Sequence, residues 1–247
     1  MQTVLITGCS SGFGLDAARF FLDKGWNVVA TMRTPRESLF PTSDRLRVLA
    51  LDVTDAASIR SAVEAAGPID VLVNNAGIGM LAALEGTSMD TARDIFDANT
   101  LGTIAMTQAV LPQFRERGAG VVINVTSSVT YRPLPLLSVY TASKAAVNAF
   151  TESLALELAP FDIRVRLVLP GRAPDTRFGE NARTRMQAGA PEPYAAFTQK
   201  VFGNLTADGP VTTAQDVSEA IWYAATDASS PMRIPAGADA VEWSKAG

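Results

Sequence analysis

Six short aliphatic or β-branched runs, each followed by a stretch long enough to cross back over a sheet, constrain this 247-residue chain more than any other feature. They are Thr3 to Thr7, Asn27 to Met32, Arg47 to Leu51, Asp70 to Val73, Val121 to Val125 and Ile163 to Leu169. Their near-continuous apolar character is that of parallel strands covered on both faces, because a sheet with one wet face would alternate polar and apolar residues. The intervening stretches have helical spacing. Gly12 to Lys24 sets Leu15, Ala18, Phe21 and Leu22 on one face, and Ala56 to Ala66, Asp90 to Arg117 and Tyr140 to Leu158 follow. The spacing predicts an α/β fold with a doubly wound parallel sheet, helices on both faces and a ligand crevice beyond the carboxyl ends of the strands. Thr87 and Asp90, and Thr213 and Asp216, are spaced as capping boxes at helix entries. The segment 172–209 breaks the rhythm with Pro174, Pro191, Pro193 and scattered aromatics. It reads as a substrate lid inserted before a last helix, Ala214 to Thr226, within a single domain spanning 1–247.

Composition narrows the chemistry. There is no histidine, which excludes Ser-His-Asp and Cys-His mechanisms, and one cysteine, Cys9, which excludes intrachain disulfides and cysteine-ligated metals. No metal is expected. A net charge of −4 offers no bulk attraction to nucleic acid, and 47% hydrophobic residues without a long apolar run predict a globular chain with no membrane span. The opening Met1 to Ile6 reads as a strand rather than a leader, so the expected address is the cytoplasm.

Directly after the first strand comes Thr7-Gly8-Cys9-Ser10-Ser11-Gly12-Phe13-Gly14. Glycines at a strand-to-helix turn let backbone N–H groups approach a pyrophosphate, and the helix N-terminus adds the favourable end of its dipole. Gly8, Ser10, Ser11, Gly12, Phe13 and Gly14 are therefore the expected phosphate-binding residues. Near the end of the second strand stands Met32, followed by Arg33. NAD sites usually offer a carboxylate there, ~20 residues beyond the glycines, to the adenosine ribose. An Arg instead suits a 2′-phosphate, with Arg36 as a possible helper, so NADP(H) is favoured over NAD(H).

The motifs taken in order are Thr7-Gly8-x-x-x-Gly12-x-Gly14, Asn74-Asn75-Ala76-Gly77, Asn99, Ser127, Tyr140-x-x-x-Lys144 and Pro170-Gly171. In that order and spacing the chain resembles the short-chain dehydrogenase/reductase family along nearly its whole length. The resemblance implies a Rossmann fold with sheet order 3-2-1-4-5-6-7. It implies a catalytic tetrad of Asn99, Ser127, Tyr140 and Lys144, in which Tyr140 is the general acid or base and Ser127 orients the substrate oxygen. Lys144 would bond the nicotinamide ribose, and Asn99 would hold a helix kink and a water. The resemblance also implies adenine contacts at Asp52 and Val53, a nicotinamide crevice lined by Asn75, Ala76 and Gly77, and a carboxamide wall at Pro170, Gly171 and Thr176. Tyr140 and Lys144, at i and i+4, share a helix face, so an ammonium stands where it can lower a phenol that ordinarily titrates near 10. The chain departs from the family in Arg172-Ala173-Pro174 after Pro170-Gly171 and in lacking a carboxy-terminal Asp-Gly-Gly.

These readings predict an oxidoreductase acting on a small-molecule carbonyl or alcohol, as a homodimer or homotetramer. Ile78, Met80, Val129, Tyr131, Leu134, Phe178, Tyr194, Phe197 and Phe202 would line a hydrophobic pocket. The alternatives are a nucleotide-sugar epimerase, which would need a larger carboxy-terminal region, and an NADP-binding regulator or scaffold without turnover.

Overall fold

In a computed structural model that describes residues 1–174, 191–205 and 209–245, seven strands form one parallel sheet in the order β3-β2-β1-β4-β5-β6-β7. They are β1 (Thr3–Ile6), β2 (Asn27–Met32), β3 (Leu46–Ala50), β4 (Val71–Asn74), β5 (Gly120–Val125), β6 (Ile163–Pro170) and β7 (Arg233–Ala236). The α-helices among the described residues are α1 (Gly12–Asp23), α2 (Ala56–Ala66), α3 (Met89–Phe96), α4 (Gly102–Arg117), α5 (Ser138–Leu158), α6 (Ala195–Leu205), α7 (Ala214–Thr226) and α8 (Ala238–Ser244). β1 pairs with β2 on one side and β4 on the other. The winding direction reverses between β1 and β4, so their carboxyl ends open the crevice that the alternation predicts.

Alternation along each strand divides two cores. Val4, Ile6, Val28, Ala30, Met32, Val73 and Ile123 face one, closed by α1 and α7, while Leu5, Val29, Leu72 and Val122 face the other, closed by α2, α4 and α5. The first core is aromatic: Phe21 meets Trp26 and Trp222 edge-on at 5.2 Å, and the two tryptophans are 5.5 Å apart. On α1 the buried positions are Gly14, Ala17, Ala18, Phe21 and Leu22, with Leu15 only half-buried beside them.

Several local expectations are corrected. The helix expected over Asp90 to Arg117 is divided into α3, a π-helical turn at Asp97–Leu101, and α4. Hydroxyl groups bond back along the helix there, Thr103 to the Asn99 carbonyl at 2.9 Å and Thr107 to that of Thr103 at 2.8 Å, a pattern that bends helices. The cap of α3 is Ser88, which accepts from the Thr91 N–H at 3.1 Å, whereas Thr87 donates to the Ala83 carbonyl. The box at Thr213 and Asp216 is formed in full. Helix α5 begins at Ser138, two residues before Tyr140. Strand β7 escapes a pattern reading because Pro235 argues against a strand. It is an edge strand bonded to β6 alone, where a missing N–H costs little. Of the expected lid, residues 175–190 and 206–208 lie outside the described residues, Thr176 and Phe178 among them. The described part contains a 3-10 turn at Glu192–Tyr194 and then α6.

Candidate active site

The glycine loop and the Asn75-Ala76-Gly77 turn form one unit. The Thr7 hydroxyl accepts from the N–H groups of Asn75 at 3.0 Å and Ala76 at 2.9 Å, and Asn75 Nδ2 donates to the Thr7 carbonyl at 2.9 Å. Gly8 has φ +76°, and a Cβ there would stand 2.8 Å from Ala76 Cα, so this close approach admits only glycine. Ser11 is the N-cap of α1 but makes no side-chain capping bond, and the first turn contains no acidic residue. The first-turn N–H groups, those of Phe13 and Gly14 included, thus face the crevice end without a side-chain acceptor among the described residues, as an anion site requires. Cys9 is buried, its N–H donating to the Thr31 carbonyl at 2.8 Å, and burial pushes its thiol up to about 12.

At the adenosine side the structure separates two arginines. Arg36 Nη2 donates to the Ser10 carbonyl at 2.9 Å, so it braces the glycine loop. Arg33 is exposed at the end of β2. Asp52 accepts from the Thr54 hydroxyl at 2.7 Å and N–H at 2.9 Å, and these bonds, with a lesser contribution from the Arg33 charge, hold its carboxyl below the usual range. Val53 packs where a side chain on Gly102 would otherwise sit.

Ser127, Tyr140 and Lys144 meet at the carboxyl end of β5. Tyr140 is 5% and Lys144 6% exposed, and the Ser127 side chain is hydrogen-bonded to Tyr140. Lys144 Nζ donates to the Val125 carbonyl at 3.1 Å and lies 6.0 Å from the centre of the Tyr140 ring. Burial raises the Tyr140 phenol, with the Ser127 bond partly offsetting it, and burial pushes the Lys144 ammonium down to about 8. Asn99 sits in the π-helical turn with its side chain fully engaged. Its Oδ1 accepts from the Ile78 N–H at 2.7 Å, and its Nδ2 donates to the Ile78 carbonyl and the Ser143 hydroxyl, each at 3.0 Å. Ser143 in turn donates to the Tyr140 carbonyl at 2.7 Å, so Asn99 ties the Ile78 loop to α5. A Cβ on Gly77 would lie 3.0 Å from Asn99 Oδ1 and 3.3 Å from Lys144 Nζ. Gly77 therefore lets this turn pack directly against Asn99 and the ammonium, which a side chain would push apart.

Pro170 ends β6, and the following backbone is held by two residues the sequence reading missed, Thr212 and Asp239. Gly171 N–H donates to the Thr212 hydroxyl at 2.8 Å and Arg172 N–H to Asp239 Oδ2 at 2.6 Å. The available signal was Gly237-Ala238-Asp239 after an apolar run, which marks a strand end and a helix start. On the substrate side, Met80 and Val129 are buried, and Ile78, Tyr131 and Leu134 are half-buried. Tyr194 packs with Leu81, Ala83, Leu136 and Val201. Leu136 has φ +62°, a strained conformation for a bulky side chain. Phe197 is 47% exposed on α6, contrary to the expectation that it lines the pocket, and the Phe202 side chain lies outside the described residues.

A family profile for short chain dehydrogenase matches residues 2–187. The chain is 39% identical over 198 residues to a 3-ketodihydrosphingosine reductase of Bacteroides thetaiotaomicron, covering 78% of this chain and 72% of that one. It is also 39% identical over 181 residues to human retinol dehydrogenase 8, covering 69% of this chain and 58% of the relative. A solved short-chain dehydrogenase from Streptomyces avermitilis superposes with a TM-score of 0.83 at 34% identity over 99% of this chain and 91% of its own. Other solved neighbours carry NADP in some complexes and NADH in others. With a profile spanning most of the chain and a fold shared end to end, this protein is an oxidoreductase that belongs to the short-chain dehydrogenase family.

Proposed function

We propose that the protein is an NADP(H)-dependent carbonyl reductase, reversible as an alcohol dehydrogenase, with Tyr140 as general acid and base. The buried contact of Ser127, Tyr140 and Lys144 at the end of β5 is the observation that carries this reading. When bound, the nicotinamide supplies or accepts the hydride. The Ser127 and Tyr140 hydroxyls hold the substrate oxygen. Tyr140, kept protonated by burial, gives that oxygen its proton as negative charge develops there. Lys144, charged below a pH of about 8, lowers the cost of the resulting phenolate and donates to the nicotinamide ribose. Asn99 fixes the loop and helix between which these groups sit.

Gly8, Ser10, Ser11, Gly12, Phe13 and Gly14 would hold the pyrophosphate, and Asp52 and Val53 the adenine. Asn75, Ala76, Gly77, Pro170, Gly171 and Thr176 would surround the nicotinamide. Arg33, exposed where a carboxylate would serve NAD, supports the NADP(H) preference. The apolar Met80, Val129 and Leu134 support a hydrophobic ketone or secondary alcohol as substrate, in keeping with relatives named for a sphingoid ketone and for retinol. We read the chain as one domain whose 172–209 segment covers the substrate, acting in the cytoplasm. Among the described residues no helix is long and apolar enough to cross a membrane. An assembly of two or four copies belongs to the same reading, and light scattering tests it.

The deciding experiment follows consumption of NADPH and NADH against aliphatic, aryl, steroid and keto-ester carbonyls. NADPH-dependent turnover of at least one apolar ketone is expected. No turnover with either cofactor would overturn the proposal. Arg33→Ala should weaken NADPH far more than NADH, because only the former has a phosphate for the guanidinium; equal losses would remove Arg33 as selector.

A further inference from the structure

We infer that Asp239 is a positioning residue, whose buried carboxylate and the Thr212 hydroxyl latch the Pro170-Gly171-Arg172 backbone into the wall of the nicotinamide site. The inference rests on the reductase reading for what that wall faces. Three segments far apart in sequence converge here: the exit of β6, the residue that leads into α7, and the corner between β7 and α8. Both carboxylate oxygens are engaged. Oδ2 accepts from the Arg172 N–H at 2.6 Å, and Oδ1 lies 2.8 Å from Thr212 Oγ1. Thr212 closes the loop from the other side: its N–H donates to the Arg172 carbonyl at 2.8 Å, and its hydroxyl accepts from Gly171 N–H and lies 2.8 Å from the Ala236 carbonyl. Asp239 is 4% and Thr212 3% exposed.

Two glycines make the latch possible. A Cβ on Gly171 would overlap the Asp239 carboxylate oxygens, and a Cβ on Gly237, at φ +97°, would overlap the Thr212 hydroxyl. A carboxylate withdrawn from water is costly, and this one is held where aliphatic packing would close the end of a sheet more cheaply. A carboxylate adds direction. It accepts from one particular N–H and so sets the height of the backbone as it leaves β6. That exit lies beside Ser127, because the Thr126 N–H donates to the Val168 carbonyl at 2.8 Å across β5 and β6. The adenosine end lies across β1 and β2, at the other side of the crevice. Loosening the latch therefore displaces the nicotinamide end alone.

The test compares Asp239→Ala, Asp239→Asn and Thr212→Val with wild type. It measures turnover, thermal midpoint, and affinity for NADPH and for 2′-phospho-ADP-ribose, which has the adenosine half and no nicotinamide. Asp239→Ala should lower kcat on the order of 10²-fold, the loss expected for a reacting group misplaced by about 1 Å. It should weaken NADPH while leaving 2′-phospho-ADP-ribose bound as in wild type. Asp239→Asn, whose side-chain oxygen can still accept from Arg172 and whose amide can donate to Thr212, should recover most of both losses. Thr212→Val should shift the same affinity ratio in a side chain of nearly the same shape, so the measurement survives if Asp239→Ala does not fold. Equal weakening of both nucleotides, or an unchanged ratio in all three variants, would overturn the inference while wild-type turnover upholds the reductase reading. Wild-type protein that binds neither nucleotide would overturn both.

Discussion

The two faces of the sheet are alike at the amino ends of the strands and differ at the carboxyl ends. On the α1 and α7 face the side chains stay apolar to the crevice, through Ile6, Met32, Val73 and Val125. On the α4 and α5 face the same level carries Thr31, Asn74 and Asn124, all buried. Asn74 Nδ2 donates to the Thr107 hydroxyl at 3.0 Å and to Asn124 Oδ1 at 2.9 Å, and Asn124 Nδ2 donates to Thr151 at 2.8 Å. This ladder runs from strand to strand into α4, which follows the π-helical turn of Asn99, and into α5, which carries Tyr140. Buried polar groups fix directions where they are paired, and in this ladder every side-chain nitrogen and oxygen but Asn74 Oδ1 has a partner among the described residues. One face therefore stabilises the fold by area and aromatic packing. The other spends part of that stability to fix directions for hydrogen bonds.

If this division holds, single substitutions separate activity from stability according to face. The largest expected effect is on the polar side: Tyr140→Phe should lower kcat by ~10²-fold or more, the range of lost general acid catalysis. Cofactor affinity and thermal midpoint should stay near wild type; full activity in the purified variant would break the comparison at its centre. On the other face, Phe21→Ala removes the middle of the aromatic cluster and should cost ~3–5 kcal/mol in urea unfolding, with turnover per folded molecule unchanged. A fall in kcat out of proportion to the folded fraction would show that the two faces are coupled. Asn124→Ala should cost less, ~1–3 kcal/mol, by leaving one Asn74 amide N–H without its acceptor and the Thr151 hydroxyl without its donor. It should also loosen Tyr140 and Lys144, so hydrogen exchange at the start of α5 sharpens the point.

A further prediction concerns pH. Because burial lowers Lys144 to about 8 from 10.5, the unfolded chain binds more protons than the folded one between those values, and stability should climb as pH rises through that window. Tyr140 works in the opposite sense. Its phenol is raised above 10.0, so the unfolded state releases a proton first, and stability should fall again above that pH. Urea midpoints across this range, in wild type and in Lys144→Met, check both limbs: the variant should lack the climb and keep the fall.

What could be read in advance follows the same division. Continuous apolar runs and amphipathic spacing depend on burial alone, so β1 to β6 and most helices were legible to within a residue or two. The i, i+4 spacing of Tyr140 and Lys144 showed only that the two share a helix face; the roles expected of them and of Ser127 came from the order of the family's motifs along the chain. A kink at Asn99 was expected from the family resemblance, but its π-helical form was not, since Asp97 to Leu101 has ordinary helical composition and only the fold brings Asn99 Nδ2 to the Ile78 carbonyl. The contact of Arg36 with the glycine loop was not legible, because only the fold brings Ser10 within its reach. Thr212 and Asp239 were missed for a related reason: their partners are 41 and 67 residues away in sequence.

Cys9 turns the glycine loop into its own reporter. The chain has no second thiol, and this one lies fully buried with its Sγ donating to the Ile6 carbonyl at 3.2 Å. A maleimide or disulfide reagent can reach it only when the turn between β1 and α1 detaches from β2 and from the Asn75 turn. In the native state the labelling rate is then the rate of intrinsic thiol chemistry scaled by the population of that opened form, the same relation that governs hydrogen exchange. One absorbance trace without mutation or isotope would thus follow how often the phosphate-facing loop comes apart, and how far any candidate nucleotide holds it shut.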